Sequence, residues 1–466
     1  MPEIESEYEG TALIADPIHR YIQFTVPQSK GEVTEKDIID SAWVQRLRYI
    51  YQLQSARWVY PSAEHSRFQH SLGAMHLAGE FAKHLYPSLR RVLGNECPSA
   101  HLIEEYLRIT GLLHDVGHGP FGHFFDDNFL ADFKITHEDI GQTIIQEKLG
   151  ELIQQLRRSP RGPFASGEEL KPEEIAFPIK KNGKEDDRKP RWVRLLQPLT
   201  SGIFTFDNLD YVSRDSYMCG VAVGPIDRER LIHYTFFTPR GLTLHKAGNA
   251  AFTMFLNARL YLYTNVYYHR TTRAIDLHLR EIFPETMRMI FPGNPLEHME
   301  EYLHLTDWSL LEEVSRWRKG KGHKDALTKE WGKILDRDIK WKMAYDRTLS
   351  LNELRYGVAL IQDTDWEKRI RGALPPSARD LVFRVDMATQ DPRPESPFTM
   401  GKKQIYIFDP SSGEITTESL SELFEFIPSK VVQFRVFALD HENDHLLAQV
   451  AEETLKGRST GVKTSV

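Results

Sequence analysis

Residues 111–123 read Gly-Leu-Leu-His-Asp-Val-Gly-His-Gly-Pro-Phe-Gly-His. His114 and Asp115 set an imidazole nitrogen beside a carboxylate oxygen, and His118 and His123 follow within nine residues. The intervening glycines and proline let the backbone come close to a bound group. Upstream, in His65-Ser66-Arg67-Phe68-Gln69-His70, Arg67 precedes His70 by three residues, which puts both on one face of a helix. Downstream, Asp207, Asp210, Tyr211, Arg214 and Asp215 recur at i, i+3, i+4, i+7 and i+8. That single face is almost wholly polar, which suits a lined cavity and not a core. His70, His114, Asp115 and Asp207 thus offer two imidazoles and two carboxylates from three segments. The mixture suits Fe, Mn, Co, Ni or Zn better than Ca or Mg. With one coordination position open to water, such a centre performs hydrolysis. An isolated His-Asp pair is common by chance; the histidines, the arginine and the acidic stripe around this one set it apart.

These residues need elements to hold them. A helix over about 66–86 carries Arg67 and His70, with Phe68, Leu72, Met75, Leu77, Ala78, Phe81 and Leu85 as its apolar stripe. A second, over about 101–116, has Leu102, Ile103, Tyr106, Leu107, Ile109, Leu112 and Leu113 and ends near Gly117. Ile38, Ile39, Trp43, Leu47 and Ile50 show the same spacing, and helices resume at about 193–218 and 248–290. Residues 11–27 read as a β-hairpin turning near Asp16-Pro17. The stretch 157–192 is polar and charged at both ends, so it reads as an exposed, partly flexible insertion with a short helix near Pro172 to Ile175. Strand patterns at 380–385, 404–408 and 431–437 describe a small C-terminal α+β lobe. The expected architecture is mainly α: an N-terminal tail and β-hairpin over 1–35, a helical core over 36–350, and the α+β lobe and tail over 351–466.

Composition narrows the function classes. The chain has 466 residues, 41% of them hydrophobic, enough for a sizeable core. A formal charge of −7 argues against coating nucleic acid by bulk electrostatics. Cys97 and Cys219 are the only cysteines, which excludes a disulfide framework or a cysteine zinc site. No apolar run approaches the ~20 residues that span a bilayer, and the first residues are acidic where a secretion signal is basic. A cytoplasmic protein with no membrane partner is the expectation. The basic run from Arg316 to Lys324, holding Trp317, reads either as a solvated loop or as a contact for single-stranded nucleic acid.

The ordered series Gln45-Arg46-Leu47-Arg48, Gln52-Leu53, HSRFQHSLG, GLLHDVGHGPFGH, DNLDYVSRD and Tyr267-Tyr268-His269-Arg270 resembles the HD-domain deoxynucleoside triphosphate triphosphohydrolases. The similarity is greatest to the branch of the sterile-alpha-motif/HD dNTPases and their bacterial relatives. It runs from Asp16-Pro17-Ile18-His19 to about residue 290. The resemblance implies an HD-domain helical core with its metal on His70, His114, Asp115 and Asp207, and Mg accompanying the nucleotide phosphates. It implies hydrolysis of a dNTP at the α-phosphorus, giving deoxynucleoside and intact triphosphate. His118, His123, Asp126 and His137 would flank the reacting phosphate, with His137 as general acid supported by His118 and Asp126. Arg67, Arg259 and Arg270 would face the phosphate chain, where guanidinium forks suit phosphate oxygens. Gln52, Leu53, Tyr211 and Asp215 would surround the sugar. Tyr267 would lie near base or sugar, or else pack in the core, and Asn208 and His269 complete the substrate-binding set.

Two departures stand out. Asn208 occupies the place where the branch has Lys, which removes a positive charge opposite the phosphate chain. Asp40, Gln45 and Arg48 match an activator site for GTP or a dNTP, but Ala12 and Ala15 replace polar residues expected upstream. Read without the resemblance, Asp40 and Arg48 are surface charges flanking a helix. The resemblance also implies a homo-oligomer, a dimer or a tetramer. Two further readings keep the same residues: a phosphodiesterase or nucleotidase acting on other nucleotides or single-stranded nucleic acid, and a nucleotide-sensing protein without turnover.

Overall fold

The computed structural model describes residues 9–180, 188–319, 325–349, 365–390, 405–416 and 431–456. The chain opens with an antiparallel hairpin, β1 (Thr11–Asp16) and β2 (Arg20–Thr25). Asp16 shapes its turn: Oδ1 accepts the N–H groups of Ile18 and His19, both at 2.9 Å. Behind the hairpin lie α1 (Arg67–Leu93) and α2 (Ala100–Leu113). Their apolar stripes, Phe68 to Leu89 on one and Leu102 to Leu113 on the other, are buried together in the main core. Ser66 and Gln69 cap the start of α1 reciprocally, which fixes where Arg67 and His70 leave the loop. Short helices α3 (His123–Asn128) and α4 (His137–Thr143) follow, then α5 (Phe206–Cys219), α6 (Asn249–Leu262), α7 (Arg270–Ile290) and α8 (Asp307–Arg318). The protein is mainly α, as its periodicity predicts.

Two sheets stand against that helical body. Strands β3 (Thr235–Thr238), β4 (Gly241–His245), β7 (Tyr406–Asp409) and β8 (Glu414–Thr416) form one, in the order β8-β7-β4-β3. The other is antiparallel and joins β5 (Lys342–Leu349), β6 (Phe383–Gln390) and β9 (Val431–Ala438) in the order β5-β9-β6. Helices α9 (Trp366–Ala373) and α10 (Asp444–Leu455) cover the second sheet. Trp366, Ile370, Phe434, Val436 and Leu447 make that lobe's own core.

Three expectations change. The lobe's sheet begins at Lys342, before the expected boundary at 351. Strand β7 leaves the lobe to pair in parallel with β4, and Ile405 and Ile407 are buried in the main core. The insertion at 157–192 is folded over its described residues, while 181–187 lie outside them. Leu170, Ile175, Ala176 and Ile179 are buried, and Arg158 binds Glu32 at 2.6 Å and the carbonyls of Gly10 and Val26 at 2.9 and 2.7 Å. Arg158 looks solvated in sequence because its partners lie more than a hundred residues away. In the basic run, Trp317 is buried and donates to Glu313 at 3.0 Å, Arg316 pairs with Glu312 and Arg318 with Asp336. The aromatic ring is therefore withheld from stacking on a base; residues 320–324 lie outside the described set. Among the described residues, no helix is long and apolar enough to cross a membrane.

Candidate metal centre and substrate cavity

The first turn of α1, the end of α2 and the first turn of α5 converge. His70 Nε2 lies 3.2 Å from His114 Nε2, 3.2 Å from Asp207 Oδ1 and 3.9 Å from Asp115 Oδ2. His114 Nε2 lies 3.4 Å from Asp115 Oδ1 and 3.6 Å from Asp207 Oδ1. The far nitrogen of each ring is held by an acceptor. His114 Nδ1–H donates to the Gly111 carbonyl at 2.7 Å, and His70 Nδ1–H donates to Asp210 Oδ2 at 2.8 Å. Both imidazoles therefore turn Nε2 to the same point, the orientation that metal-binding histidines require.

The electrostatics of the cluster suit a cation. Burial opposes a charge on His70, but Asp207 and Asp210 outweigh it and raise the imidazole to about 10. Burial works against ionisation of Asp115, yet His114, His118 and Arg67 hold it well below the usual carboxylate range. Asp207 is held low in the same way by His114 and His70. His70, His114 and Asp115 bring ligand atoms within 4.8 Å of one another, and Asp207 Oδ1 stands beside both imidazoles, a donor set that fits a divalent transition metal.

A second cluster adjoins the first through His118, whose Nε2 lies 3.4 Å from Asp115 Oδ1. The His118 and His137 rings stack with centroids 3.7 Å apart. Asp126 Oδ2 accepts from His137 Nδ1 and lies 3.7 Å from His123 Nδ1. Burial, Arg67 and His137 push His118 well below its ordinary value, so it is neutral. The exposures differ sharply. His118 and His137 are buried, whereas the His123 side chain is 67% exposed and lines the cavity described below. The expected general acid, His137, is therefore walled off behind Asp126, and His123 is the imidazole with access. The resemblance favours His137 over His123; the packing of α4 reverses their access.

The loop between these clusters is held under tension. Phe121 and Gly122 adopt φ of 62° and 55°. A Cβ on residue 122 would lie 2.4 Å from Arg67 Nη2, so only glycine lets the loop pass the guanidinium. Arg46 Nη1 donates to the His118 carbonyl at 2.6 Å, and Asp307 accepts from the N–H groups of Phe121 and Tyr51, each at 3.0 Å. Neither residue was singled out from sequence, because both act on backbone atoms of distant segments.

A cavity of about 690 Å³ opens beside the metal cluster. Gln52, Leu53, Arg67, Asn208, Tyr211, Asp215, Arg259 and Tyr267 line it, together with Asp115, Asp207 and His123. Arg67 Nη1 reaches Asp115 Oδ2 at 2.5 Å. Tyr267 donates its hydroxyl to Asp215 Oδ2 at 2.5 Å, and His65 Nε2 engages the other oxygen at 2.8 Å. The Asn208 amide is engaged in capping α5: Oδ1 accepts from Thr205 N at 2.7 Å. Two expected residues miss the cavity. Arg270 is exposed, and His269 turns back to cap α7, its Nδ1 accepting from Thr271 N at 3.2 Å. Arg273 and Arg280 line it instead, seven residues apart and so on one face of α7. That spacing was the available signal. Asp40, Gln45 and Arg48 form a separate surface group: Asp40 pairs with Lys36, and Arg48 Nε donates to Gln45 Oε1 at 2.7 Å.

Residues 67–185 match the model of the HD domain, and 226–327 match the model of the HD-associated region. The chain is 29% identical over 320 residues to the uncharacterized protein YwfO of Bacillus subtilis. It is 27% identical over 314 residues to the deoxynucleoside triphosphate triphosphohydrolase SAMHD1 homolog of Dictyostelium discoideum. Those alignments take in 65% and 66% of this chain but only 65% and 56% of the two relatives' own lengths. A solved structure of a hypothetical protein from Aquifex aeolicus shares the fold, with a TM-score of 0.68 and 23% identity over 96% of this chain and 100% of that one.

Proposed function

From the premise that this chain carries an HD domain followed by an HD-associated region, we propose that it is a metal-dependent phosphohydrolase that cleaves dNTPs to deoxynucleoside and inorganic triphosphate. One observation carries the reading: His70, His114 and Asp115 bring ligand atoms within 4.8 Å of one another, with Asp207 Oδ1 at 3.2 and 3.6 Å from the two imidazoles, beside a cavity lined by Arg67, Arg259 and Tyr267. His70, His114, Asp115 and Asp207 would hold the metal, with Fe, Mn, Co, Ni or Zn fitting the donor set. When bound, such a metal supplies Lewis acidity and water activation.

The chain's own residues supply the rest. Arg67 and Arg259 bind the phosphate chain, with Arg273 and Arg280 at the far wall. Water adds to the α-phosphorus and gives up a proton, the bond from phosphorus to the 5′-oxygen breaks, and that oxygen leaves with the proton of the His123 ring N–H, which the proton lost by the water replaces. Asp126, itself braced by His137, orients His123 for that transfer. Asp215, held by His65 and Tyr267, lines the cavity and would meet the sugar. The test is to incubate the purified protein with each dNTP and Mn or Mg, with and without GTP, and to resolve the products. Deoxynucleoside plus triphosphate is the expected pair; monophosphate plus pyrophosphate, or no turnover, contradicts it.

A further inference from the structure

The His70 ring has a second end, and it leads away from the cavity. Its Nδ1–H donates to Asp210 Oδ2, and Asp210 Oδ1 accepts from His19 Nε2 at 2.6 Å. His19 sits in the turn between β1 and β2, 191 residues from Asp210 in sequence. Arg228 determines which nitrogen of His19 carries the proton. Its Nη1 can only donate and approaches His19 Nδ1 at 3.1 Å, so Nδ1 accepts and Nε2 donates. Arg214 forks onto Asp210 at 2.8 and 2.9 Å and reaches Asp16 Oδ2 at 2.8 Å. Asp16, His19, Asp210 and Arg214 are all buried. The approach is close: a Cβ at Gly73 of α1 would lie 1.9 Å from Asp210 Oδ1.

We propose that His19 is a positioning residue of the metal centre, acting through Asp210 on His70. A neutral imidazole has two tautomers, and only the one with its proton on Nδ1 leaves Nε2 free for a metal. Asp210 selects that tautomer, and His19 fixes the carboxylate oxygen that does not face His70. The hairpin turn, remote from the substrate cavity, thereby becomes part of the metal site. This inference rests on the reading of His70 as a ligand.

The test measures Mn affinity by chelator competition in the full chain, with the melting temperature of each metal-free variant recorded beside it. Supporting partners of metal ligands typically change affinity about 10–100-fold. His19→Ala is expected to bind Mn at least about tenfold more weakly than wild type. Arg228→Ala, at a partly exposed position, shifts affinity in the same direction by less. His19→Gln keeps an N–H to offer Asp210 and recovers most of the loss. A purely structural role would lower the melting temperature while leaving the affinity of the folded protein intact. Wild-type affinity in His19→Ala, or no recovery in His19→Gln, overturns the proposal. Should His19→Ala fail to fold, wild-type affinity in Arg228→Ala overturns it. A wild-type chain that takes up no Mn sinks the metal reading itself, a distinct outcome.

Discussion

At the scale of single residues, the metal cluster is a set of charges arranged for a cation. Because Asp207 and Asp210 keep a proton on metal-free His70 up to about pH 10, metal uptake must release it. The sign follows: below that value proton and metal compete, so apparent Mn affinity should fall as pH falls, by up to about tenfold per unit for one proton. Affinity titrations between about pH 6 and 8, with proton release followed in weak buffer, check this; a flat profile contradicts it. Asp126→Asn should leave Mn content unchanged and lower kcat by about 10²-fold or more, because His123 loses its orienting carboxylate. In the sequence, type and local spacing single out His70, His114, Asp115 and Asp207, and the family resemblance points to most of the residues that line the cavity. Arg270 and His269 were misplaced because a motif fixes order along the chain, whereas the pitch of α7 decides which arginine faces inward. The resemblance prefers His137 to His123, and only burial shows that His123 is the exposed one.

At the scale of elements, α1, α2 and α5 present one ligand segment each, and their spacing is set by close approach. Gly73→Ala forces a methyl group onto Asp210 Oδ1. Overpacking of this kind costs about 2 kcal/mol or more, and here it also displaces the carboxylate that orients His70. Both a lower melting temperature and weaker Mn retention are expected; a variant as stable as wild type with full metal content contradicts the packing argument. The helices were legible because a 3.6-residue apolar period survives in any core. Strands β3 and β4 were overlooked, and β7 was found but given the wrong sheet. Alternation along a strand names its buried face and says nothing of its neighbour. The insertion was misread for a related reason: Arg158 reads as solvated until Glu32 and the hairpin carbonyls are placed beside it.

At the scale of the whole molecule, the C-terminal lobe braces a residue of the cavity wall. Arg273, in the cavity wall, donates to both oxygens of Asp386 on β6, at 3.0 and 2.6 Å. Removing one partner of a largely buried pair costs about 3 kcal/mol. Asp386→Ala should therefore lower stability and raise KM for the nucleotide, as Arg273 swings free, while metal content stays intact. Unchanged KM would show that the lobe does not shape the cavity. The central claim is that this constellation hydrolyses a dNTP at its α-phosphorus, and hydrolysis in ¹⁸O-labelled water tests it most directly. The account predicts one labelled oxygen in the released triphosphate and none in the deoxynucleoside. Label in a nucleoside monophosphate accompanied by pyrophosphate, or label in the deoxynucleoside, would contradict it.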